Sequence, residues 1–231
     1  MSVTHVASLS DRTLGDLVAE EGSRARVLER YGIDYCCHGD RTLGVACGEA
    51  GLDTDDVAAE LAAVEPSGSA EVAGRGPLAL VEHIVSNHHN YLDHELPAVV
   101  ALAAKVRDVH GDRHVELSPV ADLVASLHAE LEPHLRREER VVFPAIARVV
   151  LGGSGDDIRA DVASLMTEHE QAGELLRELR STTGGYAVPA DGCASYRSLY
   201  ERLEALEKDT FQHIHLENNV LFPAVLCNHL D

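Results

Sequence analysis

The chain has 231 residues, 45% hydrophobic and 25% charged, with a net charge of −20, enough for one large domain or two small ones. The excess of acid disfavours nucleic-acid phosphates and anionic membranes as partners, and no apolar run approaches the roughly 20 residues that span a bilayer. The first residues, MSVTHVASLSDRTLGDLVAEEG, lack both a basic leader and an apolar core, so no signal peptide is read and a cytoplasmic location is expected. Aromatics are 4% with no Trp, so the core must come from Leu, Val and Ala, which suits helices.

Residues 1–65 read as a small helical module. Short helical patterns flank a turn, DYCCHGD, and the segment DTDDVAAELAAV places Asp and Thr where a helix start wants them. A module of this size has a thin core, so it is expected to lean on its neighbour or on a second copy of the chain; a homodimer through it is one expectation. Residues 66–76 are rich in Gly and Ser, without periodicity, and read as a linker. Residues 77–231 hold four long helical patterns. They run from about Leu78 to Val109, from Ser118-Pro119 to Gly152-Gly153, from about Asp156 to Ser181, and from about Cys193 to Leu226. Four such helices with modest loops make an up-down bundle.

Each pattern carries an apolar seam at alternating steps of four and three. In the second helix it is Val120, Val124, Leu127, Leu131, His134, Glu138, Val141 and Ala145. In the fourth it is Leu199, Leu203, Leu206, Thr210, His213, Glu217, Val220 and Ala224. The third runs through Ile158, Val162, Leu165, His169, Ala172, Leu176 and Leu179, and the first through Val85, His89, Leu92, Leu96 and Val99. At one level every seam turns polar. The second and fourth helices even repeat themselves, as HLRREERVVFPAI from His134 and HIHLENNVLFPAV from His213.

One buried histidine is usually satisfied by a hydrogen bond. Two buried glutamates at the same level are not so easily explained, because uncompensated carboxylates in an apolar core would protonate or unfold the site. No Lys or Arg occupies the seams there, whereas metal ions would supply the missing charge. His and Glu at i, i+4 share a helix face, so His89, His134, Glu138, His169, His213 and Glu217 are the candidate ligands. Four imidazoles and two carboxylates are too nitrogen-rich for Mg²⁺ or Ca²⁺ and too many for one tetrahedral Zn²⁺. Two metals sharing them through both glutamates, with a bridging oxo or hydroxo, correspond to a redox-active di-iron centre in a bundle core.

Other groups have plainer readings. Glu130 and Glu168 are candidates to receive the second N–H of a metal-bound imidazole. Histidines 83, 88, 94, 128 and 215 flank the site; His88 and His215 are read as surface groups or as supports of the ligands, and His128 as off the seam. Phe143-Pro144 and Phe222-Pro223 are read as shaping helix ends. Cys36 and Cys37 could be small buried hydrophobes, but they sit in a polar turn, where exposed thiols could bind iron, take up nitric oxide or form mixed disulfides. Cys47, Cys193 and Cys227 are read as small buried hydrophobes.

The two His-x-x-x-Glu units, with TEHEQAGELL between them, resemble the hemerythrin-like domain, and DYCCHGDRTL ahead of it resembles the N-terminal domain of the iron-sulfur cluster repair di-iron family (RIC, YtfE or ScdA). The resemblance covers nearly the whole chain and implies an all-α, up-down four-helix bundle preceded by a small helical domain. It further implies two iron ions on the six residues named above, repair of iron-sulfur clusters damaged by nitric oxide or peroxide, and reactivity toward nitric oxide. Damaged iron-sulfur proteins, with nitric oxide or oxygen as small ligands, are the implied partners, while Cys36 and Cys37 are read as functional thiols from their polar turn. A di-iron oxygen or nitric oxide sensor is the alternative. Oxygen-carrying hemerythrins place a second histidine four residues after the third-helix ligand, where this chain has Gly173, which argues against an oxygen store. The family commonly shows two glycines after its cysteine pair; here they are His38-Gly39.

Overall fold

The computed structural model describes residues 9–65, 74–153 and 158–227, without the side chain of Cys227. Most of the expected linker, 66–73, lies outside the described residues, as does the side chain of Cys227, read above as buried. The described residues are all-α, apart from turns and one isolated antiparallel bridge between Thr13 and Thr42. They fall into two compact units, Met1–His83 with Gln212–Asp231, and Ile84–Phe211.

The first unit opens with α1 (Leu14–Glu20), α2 (Ala25–Arg30), α3 (Leu43–Ala50) and α4 (Thr54–Ala62). Their starts follow from side-chain caps. The hydroxyl of Thr13 accepts from the backbone N–H of Asp16 at 3.1 Å, and Asp53 accepts from Asp55 and Asp56, satisfying donors that no carbonyl of the helix can reach. α3 stops at Gly51, whose φ of 68° suits a residue without a Cβ. Leu14, Leu17, Leu28, Leu43, Val57 and Leu61 form the buried centre of this module.

After α5 (Pro77–Ile84) comes the second unit. It contains α6 (Asn90–His110), α7 (Leu117–Arg137), α8 (Phe143–Val150), α9 (Ile158–Thr182) and most of α10 (Ala194–His215). One core joins four of these helices, through Leu96 and Val99 of α6, Val124 and Leu127 of α7, Leu176 and Leu179 of α9, and Leu199 and Leu203 of α10. α7 begins at Leu117, one residue before the expected Ser118 cap, so Pro119 stands inside its first turn. Proline is harmless there, because first-turn N–H groups have no intrahelical partner to lose. α11 (Phe222–Cys227) closes the described chain within the first unit.

Among the described residues three π-helical segments interrupt the long helices, at Val85–His89, Glu138–Val142 and Leu216–Leu221. In each the closing bond spans five residues: Asn90 N–H to the Val85 carbonyl, Phe143 to Glu138, and Phe222 to Glu217. This corrects the seams. A π turn inserts one residue, so the buried set after Glu138 is Val142 and Ile146, while Val141 is 49% exposed and Ala145 only half-buried. After Glu217 it is Leu221 and Val225, whereas Val220 is half-buried and Ala224 exposed. On the first helix, Ile84 replaces Val85 ahead of His89. Pro144 and Pro223 supply a reason in two of the three cases. Each lacks the N–H that would continue the ladder and crowds the carbonyl four residues back, so the helix is re-registered just before it.

Candidate metal centre

Glu138 is the centre of the second unit's polar level and is fully buried. Its carboxylate oxygens lie 3.4 Å from Nε2 of His89 and 3.4 Å from Nε2 of His134, with Nε2 of His169 at 3.8 Å. The Nε2 atoms of His134 and His169 are 3.1 Å apart. The donor atoms of His134, Glu138 and His169 all lie within 4.8 Å of one another. Burial would push the Glu138 carboxyl up, but the imidazoles of His134, His169 and His89 hold it well below the usual carboxylate range.

The outer edges of these rings are fixed by carboxylates. Nδ1 of His134 is 2.8 Å from Glu168, and Nδ1 of His89 is 2.9 Å from Glu139. Glu168 is itself held by Arg137 at 2.7 Å and Ser164 at 3.1 Å. With a carboxylate on Nδ1, Nε2 is the nitrogen left to face Glu138, and the one that would bind a metal once it carries no proton. A buried glutamate elsewhere in the second unit is treated differently: Glu207, 1% exposed, is gripped by the guanidinium of Arg180.

The first unit holds the remaining pair. His213 and Glu217 are both fully buried on the end of α10 and the π turn after it, with Nε2 and a carboxylate oxygen 3.1 Å apart. Beside them in sequence, Asn218 and Asn219 donate to backbone carbonyls of the cysteine turn. Asn219 reaches Cys36 O at 2.9 Å and Tyr35 O at 3.3 Å, and Asn218 reaches Cys36 O at 3.4 Å. The turn that carries the thiols therefore rests on the π segment that carries Glu217. This corrects the expectation of exposed thiols: Cys36 is 2% exposed and Cys37 half-buried. Asparagine side chains satisfy the backbone carbonyls of Tyr35 and Cys36, which lets the thiol of Cys36 go inside.

The donor set fits a transition metal. Bonds of about 2.1 Å to one cation place neighbouring donors roughly 3.0–3.4 Å apart, which is the spacing of His134 with His169, of Glu138 with His89 and His134, and of His213 with Glu217. Imidazole with carboxylate suits iron, zinc or copper rather than calcium.

The sequence matches two family models, the hemerythrin HHE cation binding domain over residues 80–225 and a domain of unknown function, DUF542 or ScdA_N, over residues 10–65. Three relatives carry the name iron-sulfur cluster repair protein YtfE. That of Cronobacter sakazakii is 35% identical over 94% of this chain and 97% of its own length. Those of Escherichia coli and Citrobacter koseri are 33% and 32% identical, over 94% and 95% of this chain and 97% and 99% of theirs. The chain belongs to the YtfE family of iron-sulfur cluster repair proteins.

As a YtfE-family chain it keeps His89, His134, Glu138 and His169 together in one unit and His213 with Glu217 in the other. Of the two supporting carboxylates expected from sequence, Glu168 meets an imidazole, while Glu130 is exposed on α7. The partner of His89 is Glu139, which sequence reasoning passed over; its signal was the doubled Glu138-Glu139 at the π turn. His88 and His215 are buried, not surface groups. His88 bonds Asp209 at 3.0 Å, and His215 stands edge-on to Tyr35 with burial depressing its pKa to about 4. Cys47 is buried as expected, but Cys193 is exposed, with its sulfur 3.1 Å from Nε2 of His110. Among the described residues no helix is long and apolar enough to cross a membrane.

Proposed function

We propose that the chain binds two iron ions through His89, His134, Glu138, His169, His213 and Glu217, with the two glutamates shared between the ions, and helps to repair iron-sulfur clusters damaged by nitrosative or oxidative stress. The observation that carries the reading is Glu138, fully buried among three imidazoles, two of which have their outer nitrogens tied to carboxylates. His213 and Glu217 join the set through the sequence repeat and through the seam of α10, whose upstream residues Leu199, Leu203 and Leu206 belong to the bundle core. The name that the relatives carry supports the repair role.

Bound iron would supply one-electron chemistry and open positions for nitric oxide. The protein's share is to fix the imidazole tautomers through Glu139 and Glu168 and to surround the carboxylates with apolar side chains that exclude water. Cys36 and Cys37 are proposed to relay iron or electrons to a damaged cluster protein. The test is single-turnover reaction of the reduced protein with nitric oxide, run beside reactivation of a nitric oxide-damaged iron-sulfur enzyme. Both activities are expected. Nitric oxide binding without reactivation would favour the sensor reading, and neither would sink the proposal. A homodimer through the N-terminal module is a separate proposal, decided by sedimentation of the full chain at micromolar concentration.

A further inference from the structure

The cysteine turn holds a second cluster of metal-binding side chains, well apart in sequence from the six residues above. Asp34 organises it. One oxygen, Oδ1, accepts from the backbone N–H groups of Cys36 at 3.1 Å and Cys37 at 3.0 Å, and lies 3.3 Å from the Cys36 sulfur. The other, Oδ2, is 2.9 Å from Nδ1 of His38. The two sulfurs are 3.7 Å apart. That is far beyond the roughly 2.05 Å of a disulfide. It is close to the roughly 3.8 Å that separates two sulfurs bound at about 2.3 Å to one tetrahedral cation. A sulfur and a carboxylate oxygen on the same cation would stand roughly 3.6 Å apart by the same geometry. One donor atom from each of Asp34, Cys36 and Cys37 falls within 4.8 Å of the others.

We propose that Asp34, Cys36 and Cys37 form a mononuclear site for a thiophilic divalent cation, zinc or ferrous iron, with His38 positioning the Asp34 carboxylate. Three protein ligands leave the fourth tetrahedral position for water or an exchanging partner, the pattern of an open rather than a structural site. Cys36 is buried, whereas Cys37 is half-buried and the His38 side chain 45% exposed, so the cation enters from the Cys37–His38 side. Binding forms two metal–sulfur bonds and breaks two S–H bonds, so two protons leave to solvent for each cation taken up. No change of oxidation state is involved. The site stands independently of the iron-pair reading, since the six residues of that reading include no sulfur.

The experiment is a titration of the reduced, iron-loaded full-length protein with cobalt(II), followed by sulfur-to-cobalt charge-transfer absorption, which the histidine and glutamate set cannot produce. One equivalent is expected to saturate the band, to release about two protons in weak buffer, and to be displaced by zinc. Cys37→Ser, at a half-buried position, should abolish the band. Asp34→Asn keeps an oxygen for the two backbone N–H groups but loses the charge, and should weaken binding at least tenfold. His38→Gly should leave the band's shape and cut affinity by about tenfold, the usual effect of removing a group that orients a ligand. No band in the unaltered protein overturns the site. A band of unchanged affinity in Asp34→Asn overturns the three-ligand assignment, and one unchanged in His38→Gly overturns the positioning role. Iron content measured in the same samples reports separately on the bundle.

Discussion

Nδ1 of His89 and a carboxylate oxygen of Glu139 lie 2.9 Å apart, although 50 residues separate them in the chain. Glu139 directly follows Glu138, so the π turn at Glu138–Val142 sends one carboxylate toward Nε2 of His89 and the next toward its Nδ1. The ring is held from both sides. Removing the outer partner should therefore weaken metal binding without emptying the core. Glu139→Ala and Glu168→Ala should each lower iron affinity by about 10- to 100-fold. Competition against a chelator of known strength measures this; unchanged affinities would leave the two contacts without a role in metal binding.

Glu138→Ala and Glu217→Ala should each lose most of the bound iron. Each removes a proposed shared ligand and leaves the remaining buried groups with unbalanced charge. His94→Ala is the control, since His94 is exposed and bonds a backbone carbonyl of its own helix. Metal analysis should find about two irons per chain in the control. Full occupancy in both glutamate variants is the result that the shared-ligand assignment could not survive.

The re-registration of the seam can be tested by stability alone. Val142 is fully buried and Val141 is 49% exposed. Val142→Ala should cost about 2 kcal/mol from lost burial and the cavity left behind, while Val141→Ala should change stability by less than about 0.5 kcal/mol. Urea denaturation of metal-free protein separates them. Equal effects, or the reverse order, would mean that the helix runs on without its inserted residue.

Gly39 is required for room. A Cβ there would sit 2.1 Å from Oδ1 of Asn219 and 2.7 Å from the backbone oxygen of Tyr35. The asparagine can move; the backbone oxygen cannot do so cheaply. Gly39→Ala should therefore destabilise the first unit by about 1–3 kcal/mol, the usual cost of overpacking, and shift protease cleavage toward the cysteine turn. Gly15→Ala meets only the side chain of Asn219, at 2.8 Å, and should cost less. A neutral Gly39→Ala would show that the backbone of Tyr35 gives way at little cost.

Helical class and the polar level of the bundle were legible in the sequence, because both depend on local period. A 3.6-residue repeat of Leu and Val is visible without knowing what faces it, and His with Glu one turn apart must share a face. The resemblance carried by the two His-x-x-x-Glu units and by DYCCHGDRTL likewise needed only order and spacing. What followed the polar level was not legible. Reading Val141 and Val220 as seam residues assumed an unbroken ladder, and a π insertion leaves no periodic signature of its own. It is decided where proline removes a donor and where burying Val142, Ile146, Leu221 and Val225 outweighs the weaker local helix geometry. The partnership of His89 with Glu139 and the burial of Cys36 under Asn218 and Asn219 join residues 50 and 182–183 positions apart. Only tertiary packing could choose those partners, because a hydrogen bond between distant segments depends on where each backbone is carried, and no local pattern records that.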